Sequence, residues 1–437
     1  MRSDCRRGVP TAVPVAILIA VALLEVSVLG EESAGGGAGA RDERGPADSH
    51  LYRADPEHAT VGKTRRWLKG DRSLPALDPL LGPGPVTMLL QPWYDAKEKA
   101  RAFGLHFDGA YTFWYQYASK TPSSPDDLFS SRLDAGARWE MLDDPEWGKG
   151  HLEFLLRAGS VLGDDRDTRL SASMGSIFAG NSGFSPPVSV NILSWTQRFL
   201  EEKVSVVIGK IHPNQYVNSS PVANDESLQF CSVAFNGNNM PFIRTYAPGA
   251  VLVVQPSDRL YLRGLVVDSA GSASTSLSTL GEGQLGLAGE LGLTPEVESW
   301  GQGNYRVGVW HSDDPDDTEA GYGVYLNFDQ EILPDVMPYF QYGYGDPSTA
   351  SIEHFLAGGI GFLRPFDRHG DMFGLAAAWG QPSTRSSRSE TILETFYRLQ
   401  VTDAMQLSPD LQLVFNPANN ARDDFIGVLG VRLRFQF

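Results

Sequence analysis

Covalent staples are all but missing from this chain of 437 residues, whose only cysteines are Cys5 and Cys231. Cys5 lies in a segment expected to be removed, so no internal disulfide can form and the fold must hold without one. Long apolar runs are missing too: past residue 30, charge, Gly or Asn interrupts every hydrophobic stretch well short of the roughly 20 residues a bilayer-spanning helix needs. A helical membrane protein is thereby excluded. Basic charge is scarce, with 36 Lys and Arg against 53 Asp and Glu for a net charge of -17. Such a chain repels phosphate backbones, which argues against nucleic-acid binding. Catalytic motifs are absent as well: there is no H-E-x-x-H, no G-x-S-x-G and no Walker loop. The letters G-x-G-x-x-G occur at Gly281, Gly283 and Gly286, but they lead into an alternating segment instead of a helix and read as a chance match. No enzyme activity, cofactor or dedicated metal site is expected.

What is present suffices for a large core, since 42% of residues are hydrophobic and 11% aromatic. Disorder throughout is ruled out on that ground. The first residues read as a secretory signal peptide over 1–30: Arg2, Arg6 and Arg7 precede the run AVPVAILIAVALLEVSVLG, and Val28-Leu29-Gly30 offers small residues for cleavage. An uncleaved anchor is the competing reading, which Pro14 and Glu25 weaken by interrupting the run. Residues 31–90, rich in Gly, Ala, Pro and charge, read as a flexible periplasmic tether whose partner the sequence does not name. The barrel domain proper is expected over 91–437. It opens with PWYDAKEKARAFG, where Pro92 suits a first helical turn and Gly104 a stop, so a helix is predicted over 92–103.

From Leu105 onward the period falls to two. Leu105, Phe107, Tyr111, Phe113, Tyr115 and Tyr117 share one face, and His106, Asp108, Thr112, Trp114 and Gln116 the other. The pattern returns at 131–142 and 150–159 and in the last segment FIGVLGVRLRFQF, where apolar positions alternate with Arg432, Arg434 and Gln436. Sixteen strands are predicted, among them 204–211, 321–330, 336–345 and 410–416, and their connections alternate long (118–130, 160–187, 212–248, 269–283) and short (DDPEWGK, EEK, PSD, EILPD). That parity is the rule for outer-membrane barrels, with short turns on one side and long loops on the other. The expected fold is therefore all-β: a transmembrane antiparallel barrel of about 16 strands with a short N-terminal helix and long extracellular loops. Hydrocarbon offers no hydrogen bonds, so a sheet in the membrane must close on itself. A barrel of this size leaves an aqueous channel. A soluble exported β-sandwich that binds carbohydrate is the alternative outside the membrane class.

The C-terminal block ETFYRLQVTDAMQLSPDLQLVFNPANNARDDFIGVLGVRLRFQF resembles the end of the carbohydrate-selective outer-membrane porins of the OprB type. KGHLEFLLRAGSVLG after Trp147-Gly148, SWTQRFLEEKVSVVIGKIHPN and APGAVLVVQPSDRLYLRGLVVDS match in family order, and the resemblance spans about residues 90 to 437. It implies a sixteen-stranded sugar porin in the outer membrane of a Gram-negative-type cell, with long loops folded into the channel. The expected partners are sugars as transported solute and, around the barrel, outer-membrane lipid and lipopolysaccharide. Monomer and homotrimer both stay open, as does a general unselective porin in place of a selective one.

Alternation puts Trp114, Arg132, Arg138, Glu140, Glu153, Arg157, Arg398 and Arg432 on the inner face, as candidate channel-lining groups. Arg can serve two hydroxyls with one planar fork, and Trp114 offers a platform for a sugar's C–H face. The bland alternative for each charge is an inward ion pair that stiffens the wall. The connection from His212 to Pro248 reads either as a constriction loop or as a surface loop packed on its own side chains. Cys231 within it reads as a small buried residue. The acidic clusters at Asp164, Asp165 and Asp167 and at Asp313, Asp314, Asp316 and Asp317 lack the spacing of a calcium loop and read as solvated outer loops.

Overall fold

The computed structural model describes residues 88–162, 170–180, 188–235, 246–274, 277, 279–313 and 319–437. The expected signal peptide and nearly all of the expected tether lie outside them, as do Asp164, Asp165 and Asp167 and, of the second acidic cluster, all but Asp313. A helix α1 (Gln91–Arg101) precedes sixteen strands. These are β1 (Leu105–Ala118), β2 (Asp127–Asp144), β3 (Gly148–Leu162), β4 (Ser189–Phe199), β5 (Val204–Ile211), β6 (Ala247–Ser257), β7 (Leu260–Asp268) and β8 (Leu285–Leu293). The ring continues with β9 (Gly303–Ser312), β10 (Gly321–Gln330), β11 (Val336–Gly345), β12 (Ile352–Leu363), β13 (Met372–Pro382), β14 (Glu390–Thr402), β15 (Met405–Phe415) and β16 (Phe425–Gln436). Each strand pairs antiparallel with its sequence neighbours, and β16 closes on β1 in the register Trp114↔Arg432, so the sheet has no edge. A short helix α2 (Leu170–Met174) lies in the connection between β3 and β4.

Burial runs inside out. Buried polar groups such as Glu290, Arg306, Asn327 and Asp329 point inward, while Ile208, Leu252, Val309, Tyr322, Leu375 and Leu429 stand exposed on the outer face. In water that arrangement is costly, whereas against hydrocarbon the outer face gains what a soluble protein gains from its core. The long connections 163–188 and 212–246 emerge at one end of the barrel, the loop end; turns such as 145–147 and 403–404 close the other, the turn end.

The expected span 410–416 starts five residues late: β15 begins at Met405, directly after the tight turn that follows β14. Pro409 hid this strand. Proline has no N–H to give the ladder, and pairing with β14 breaks off at Phe396↔Asp410 and resumes at Leu399↔Leu407. On its other side β15 pairs without a break, Pro409↔Val431 included.

Two contacts tie the turn end together. Gly148 has φ +76°, and a Cβ there would sit 1.9 Å from the Arg198 carbonyl oxygen, so only glycine fits the turn into β3. The predicted helix is present as α1, which docks on the seam where the barrel closes. Trp93 meets Phe107 edge-on at 4.9 Å and Phe437 at 6.2 Å between ring centroids. Lys97, buried, pairs with the buried Asp108 of β1; removing one member of such a pair costs about 3–5 kcal/mol.

The interior is not an empty tube. Leu170 and Met174 of α2, with Phe178, Val222, Phe230 and Phe235, pack against Met337, Phe355, Ala376, Ile392, Phe396, Val414, Ile426 and Val428 of the wall. The inward positions of β11–β16 thus mix these apolar side chains with the buried Glu390, Glu394, Asp410 and Gln412, so part of a lumen expected to be polar is lined by apolar groups. Such positions are tolerated because loop residues, and not water, cover them.

Candidate channel constriction

The described part of the connection after β5, residues 212–235, turns inward through the short 3-10 segment Pro213–Gln215 and crosses the lumen. It is clamped at several places. Glu290 of β8 accepts hydrogen bonds from the Tyr261 and Tyr325 hydroxyls, both at 3.0 Å, and from the Asn218 backbone N–H at 2.7 Å, with Arg263 at 3.3 Å. Arg263 also donates to the Tyr216 carbonyl. Next to this cluster, Asp329 binds Arg306 at 2.5 Å and the Ser220 hydroxyl at 2.6 Å, and Asn327 donates to the Asn218 carbonyl.

Across the lumen the wall carboxylates cap backbone N–H groups of the loops. Glu394 takes the Cys231 and Ser232 N–H at 2.5 and 2.9 Å. Glu390 takes the Ile177, Phe178 and Ala418 N–H and the Ser176 hydroxyl. Bonds from neutral donors to a carboxylate are worth about 1.5–3 kcal/mol each, so these acids fix the loop path. Cys231, Glu394 and Asp410 place ligand-type atoms within 4.8 Å of one another. Glu394 is already committed to two N–H donors there, and Arg432 lies 3.5 Å from the Cys231 sulfur, so the cluster reads as a loop anchor.

The inner-face candidates divide into two groups. Five surround the loop. Arg132 lies over the Trp114 ring at 5.2 Å, binds Asp134 at 3.0 Å and reaches Glu226 and the Ser227 hydroxyl. Trp114 donates its Nε1–H to the Glu226 carbonyl at 3.4 Å. Arg157 stacks on Tyr246 at 5.3 Å and binds Asp134 at 2.8 Å. Arg398 donates to the Leu228 carbonyl at 3.0 Å, and Arg432 to the Glu226 and Gln229 carbonyls at 2.6 and 2.9 Å. The other three lie lower on the wall: Arg138 and Glu153 are opposite each other in register on β2 and β3, and Glu140 is exposed near the turn end.

Alternation missed the groups that meet these arginines, because they sit in the loop and not on strands. Glu226, Asp225, His212 and Tyr246 are of this kind. One signal was available: Asp225-Glu226 is the only acidic pair in the longest connection. Burial acts to raise the Glu226 carboxyl, but Arg132 and Arg157 beside it hold it below the usual carboxylate range. Burial and then the Glu226 charge push Asp225 up. Burial, followed by the nearby Arg157, pushes His212 down to about 3. The result is a fixed pattern of one ionised loop acid between two arginines, with aromatic rings behind both cations.

A closed sixteen-stranded barrel with an apolar outer face, its lumen narrowed by an inward loop that presents charge, is an outer-membrane diffusion channel. The family model for the carbohydrate-selective porins, OprB family, matches residues 148–320 and 314–437, and the chain belongs to that family. It is an outer-membrane porin for carbohydrates, and both fold and family are those of a transport channel. Porin AaxA of Chlamydia abortus (strain DSM 27085 / S26/3) is 21% identical over 308 residues, 68% of either chain. Porin AaxA of Chlamydia felis (strain Fe/C-56) is 21% identical over 315 residues, 69% of this chain and 70% of that one. The high-pH structure of Pseudomonas putida OprB shares the fold with a TM-score of 0.67 at 16% identity, covering 79% of this chain and 97% of that one. The low-pH structure of the same protein gives a TM-score of 0.53 at 14% identity with the same coverage.

Proposed function

We propose that sugars cross passively along the polar side of the loop and are selected where it meets β1–β3. The observation that carries this reading is the unequal exposure of the cluster. Arg132 and Asp134 keep only 6% and 4% of their side-chain surface, while Arg157 and Glu226 keep 13% and 18%. The first pair holds the loop; the second pair offers N–H donors and a carboxylate acceptor to a passing solute. Tyr246, buried against Arg157 and His212, holds the Arg157 guanidinium in place from behind. Both signs of charge side by side suit a neutral polyhydroxylated solute better than an ion, and contacts this few let the solute leave again. Trp114, Arg398 and Arg432 act in this reading by fixing the loop, and Arg138, Glu140 and Glu153 line the wider lower passage. Outer-membrane lipid of a Gram-negative-type cell surrounds the wall, with lipopolysaccharide beside the loop end.

The test is sugar flux in proteoliposomes across mono- and oligosaccharides, with planar-bilayer conductance alongside. Arg157→Ala and Glu226→Gln are expected to change the ranking of sugars several-fold, and Asp313→Ala, at the loop end, to leave it alone. Arg132→Ala is expected to raise conductance, because Glu226 and Ser227 lose their hold. Equal small effects at all four positions would remove these residues from the selectivity site.

A further inference from the structure

A compact basic stretch lies in the expected tether. Residues 63–72, KTRRWLKGDR, set Lys63, Arg65, Arg66, Lys69 and Arg72 against the single Asp71 and around the apolar pair Trp67-Leu68, in a protein whose net charge is -17.

At the turn end, two neighbouring connections form a surface of the opposite charge. The connection from β8 to β9 (294–302) and the one from β10 to β11 (331–335) are joined: the Glu331 N–H donates to the Gln302 carbonyl at 3.0 Å, and the Gln330 side-chain amide to the Gly301 carbonyl at 3.1 Å. Within the first, the Val297 N–H donates to the Gly301 carbonyl at 2.9 Å and the Gly303 N–H to that of Pro295 at 2.8 Å. From this fixed frame Trp300 and Leu333 project, 55% and 60% exposed. Glu296, Glu298, Glu331 and Asp335 stand in the same two connections, which contain no Lys or Arg. Asp335 pairs with Arg364 of the next turn. Lipid is a poor cover for the two apolar side chains, because the carboxylates beside them would lose their water on entering it.

The platform is placed where the tether can reach it. Sixteen strands about 4.8 Å apart and tilted about 40° close a ring roughly 32 Å across. The described chain begins at Met88, beside the seam of β1 and β16, and the connection from β8 to β9 lies half the ring away, directly across the mouth. Residues 73–87 contain four prolines. A proline-rich spacer extends by about 3.1 Å per residue, so the roughly 16 residues from Arg72 to Met88 reach up to about 50 Å. A linker of this length gives an effective concentration in the millimolar range, at which a weak contact is occupied.

We propose that segment 63–72 docks on the platform of Trp300 and Leu333, so that residues 73–87 lie across the exit of the barrel. Trp67 and Leu68 meet the two apolar side chains, and the cations around them meet Glu296, Glu298 and Glu331. Each half offers what the other lacks: apolar side chains among cations on the segment, apolar side chains among carboxylates on the platform. The inference goes beyond sugar selection, which depends on residues at a different level of the lumen.

Mature protein carrying Thr64→Cys with Leu333→Cys, purified from outer membranes in mild detergent, would be exposed to a mild oxidant. Thr64→Cys with Leu200→Cys is the comparison, since Leu200 is an apolar side chain on another turn of the same rim, 72% exposed. The native Cys231 is buried and is not expected to react. A disulfide within one chain is expected to form about fivefold more between 64 and 333 than between 64 and 200. It is expected to fall several-fold at about 0.5 M salt, where exposed charges are screened, and equally in a variant with Arg65→Gln, Arg66→Gln and Lys69→Gln, which leaves the barrel untouched. No preference for 333, a preference indifferent to salt and to these charges, or a bond formed between two chains would overturn the docking. So would a mature chain that begins after residue 72 by mass spectrometry. Binding of the parent chain, but not of the charge variant, to peptidoglycan sacculi without any 64–333 disulfide would give the segment to the cell wall and overturn it as well.

Discussion

The two sides of the barrel interior hold the same loop differently, one chiefly by polar anchors and the other by polar anchors set into an apolar core. On β7–β10 the segment Tyr216–Ser220 sits in a network of Glu290, Arg263, Arg306, Asn327 and Asp329, with Tyr261 and Tyr325 pointing their hydroxyls at Glu290. On β11–β16 the side chains of Val222, Ala223, Phe230, Ala234 and Phe235 lie in an apolar core, where Phe230 meets Phe396 edge-on at 4.9 Å and Phe235 at 5.1 Å, while Glu394 caps the Cys231 and Ser232 N–H groups between them. Polar anchors are directional and set where the loop crosses. Apolar packing has little direction and excludes water from the space the loop closes off. A barrel too wide to be filled by its own wall residues thus builds its constriction by fastening a loop on both sides and burying most of its apolar side chains on one.

The comparison breaks most visibly if each anchor is removed in turn. Glu290→Ala strands Arg263, two tyrosine hydroxyls and the Asn218 N–H, and is expected to cost about 3–5 kcal/mol. Phe230→Ala is expected to cost a similar amount, about 3–5 kcal/mol, through the cavity it leaves. Denaturant titration in detergent would give both values, and single-channel recording should separate them. Loss of the directional anchor should broaden the conductance into several levels, while the cavity variant should keep one level. Equal behaviour in the recordings would mean that the two sides do the same job.

A smaller effect concerns pH. His212, at the point where the loop leaves β5, is pushed down to about 3 by burial and by Arg157, against about 6.5 in an unfolded chain. Below pH 6.5 the unfolded chain takes up a proton that the fold refuses, so this residue's contribution to stability is full above 6.5 and is lost as the pH falls toward 3. His212→Gln should flatten the fall in stability between pH 6 and pH 4, and an unchanged slope would assign acid sensitivity elsewhere. The smallest effect is expected from Ile392→Val in the apolar half, at about 0.5–1.5 kcal/mol in the same titration with conductance unchanged.

Strands were legible because a period of two survives whatever packs on either face. The predicted spans 204–211, 321–330 and 336–345 coincide with β5, β10 and β11. The start of β15 was not legible, since Pro409 reads as a break although its partner strand β16 continues straight past it. Inward arginines could be read from alternation, but their occupations could not. Arg132, Arg398 and Arg432 bond to loop atoms about 95 to 206 positions away in the chain, and no local pattern encodes such a pairing. Tyr246, Glu226 and His212 were hidden for the same reason, being loop residues without a period.

By itself the sequence determined that the chain forms strands with one oily and one polar face, that their number is even and their connections alternate, and that the sheet must close in a membrane. Those are consequences of backbone geometry and of hydrocarbon's lack of hydrogen bonds, and they act on neighbouring residues. Only the tertiary structure decided which half of the lumen the loops fill, which acid stands between which arginines, and which turns meet across the mouth from the seam. These depend on contacts between residues far apart in the chain, where the balance of burial, charge and space is struck in three dimensions.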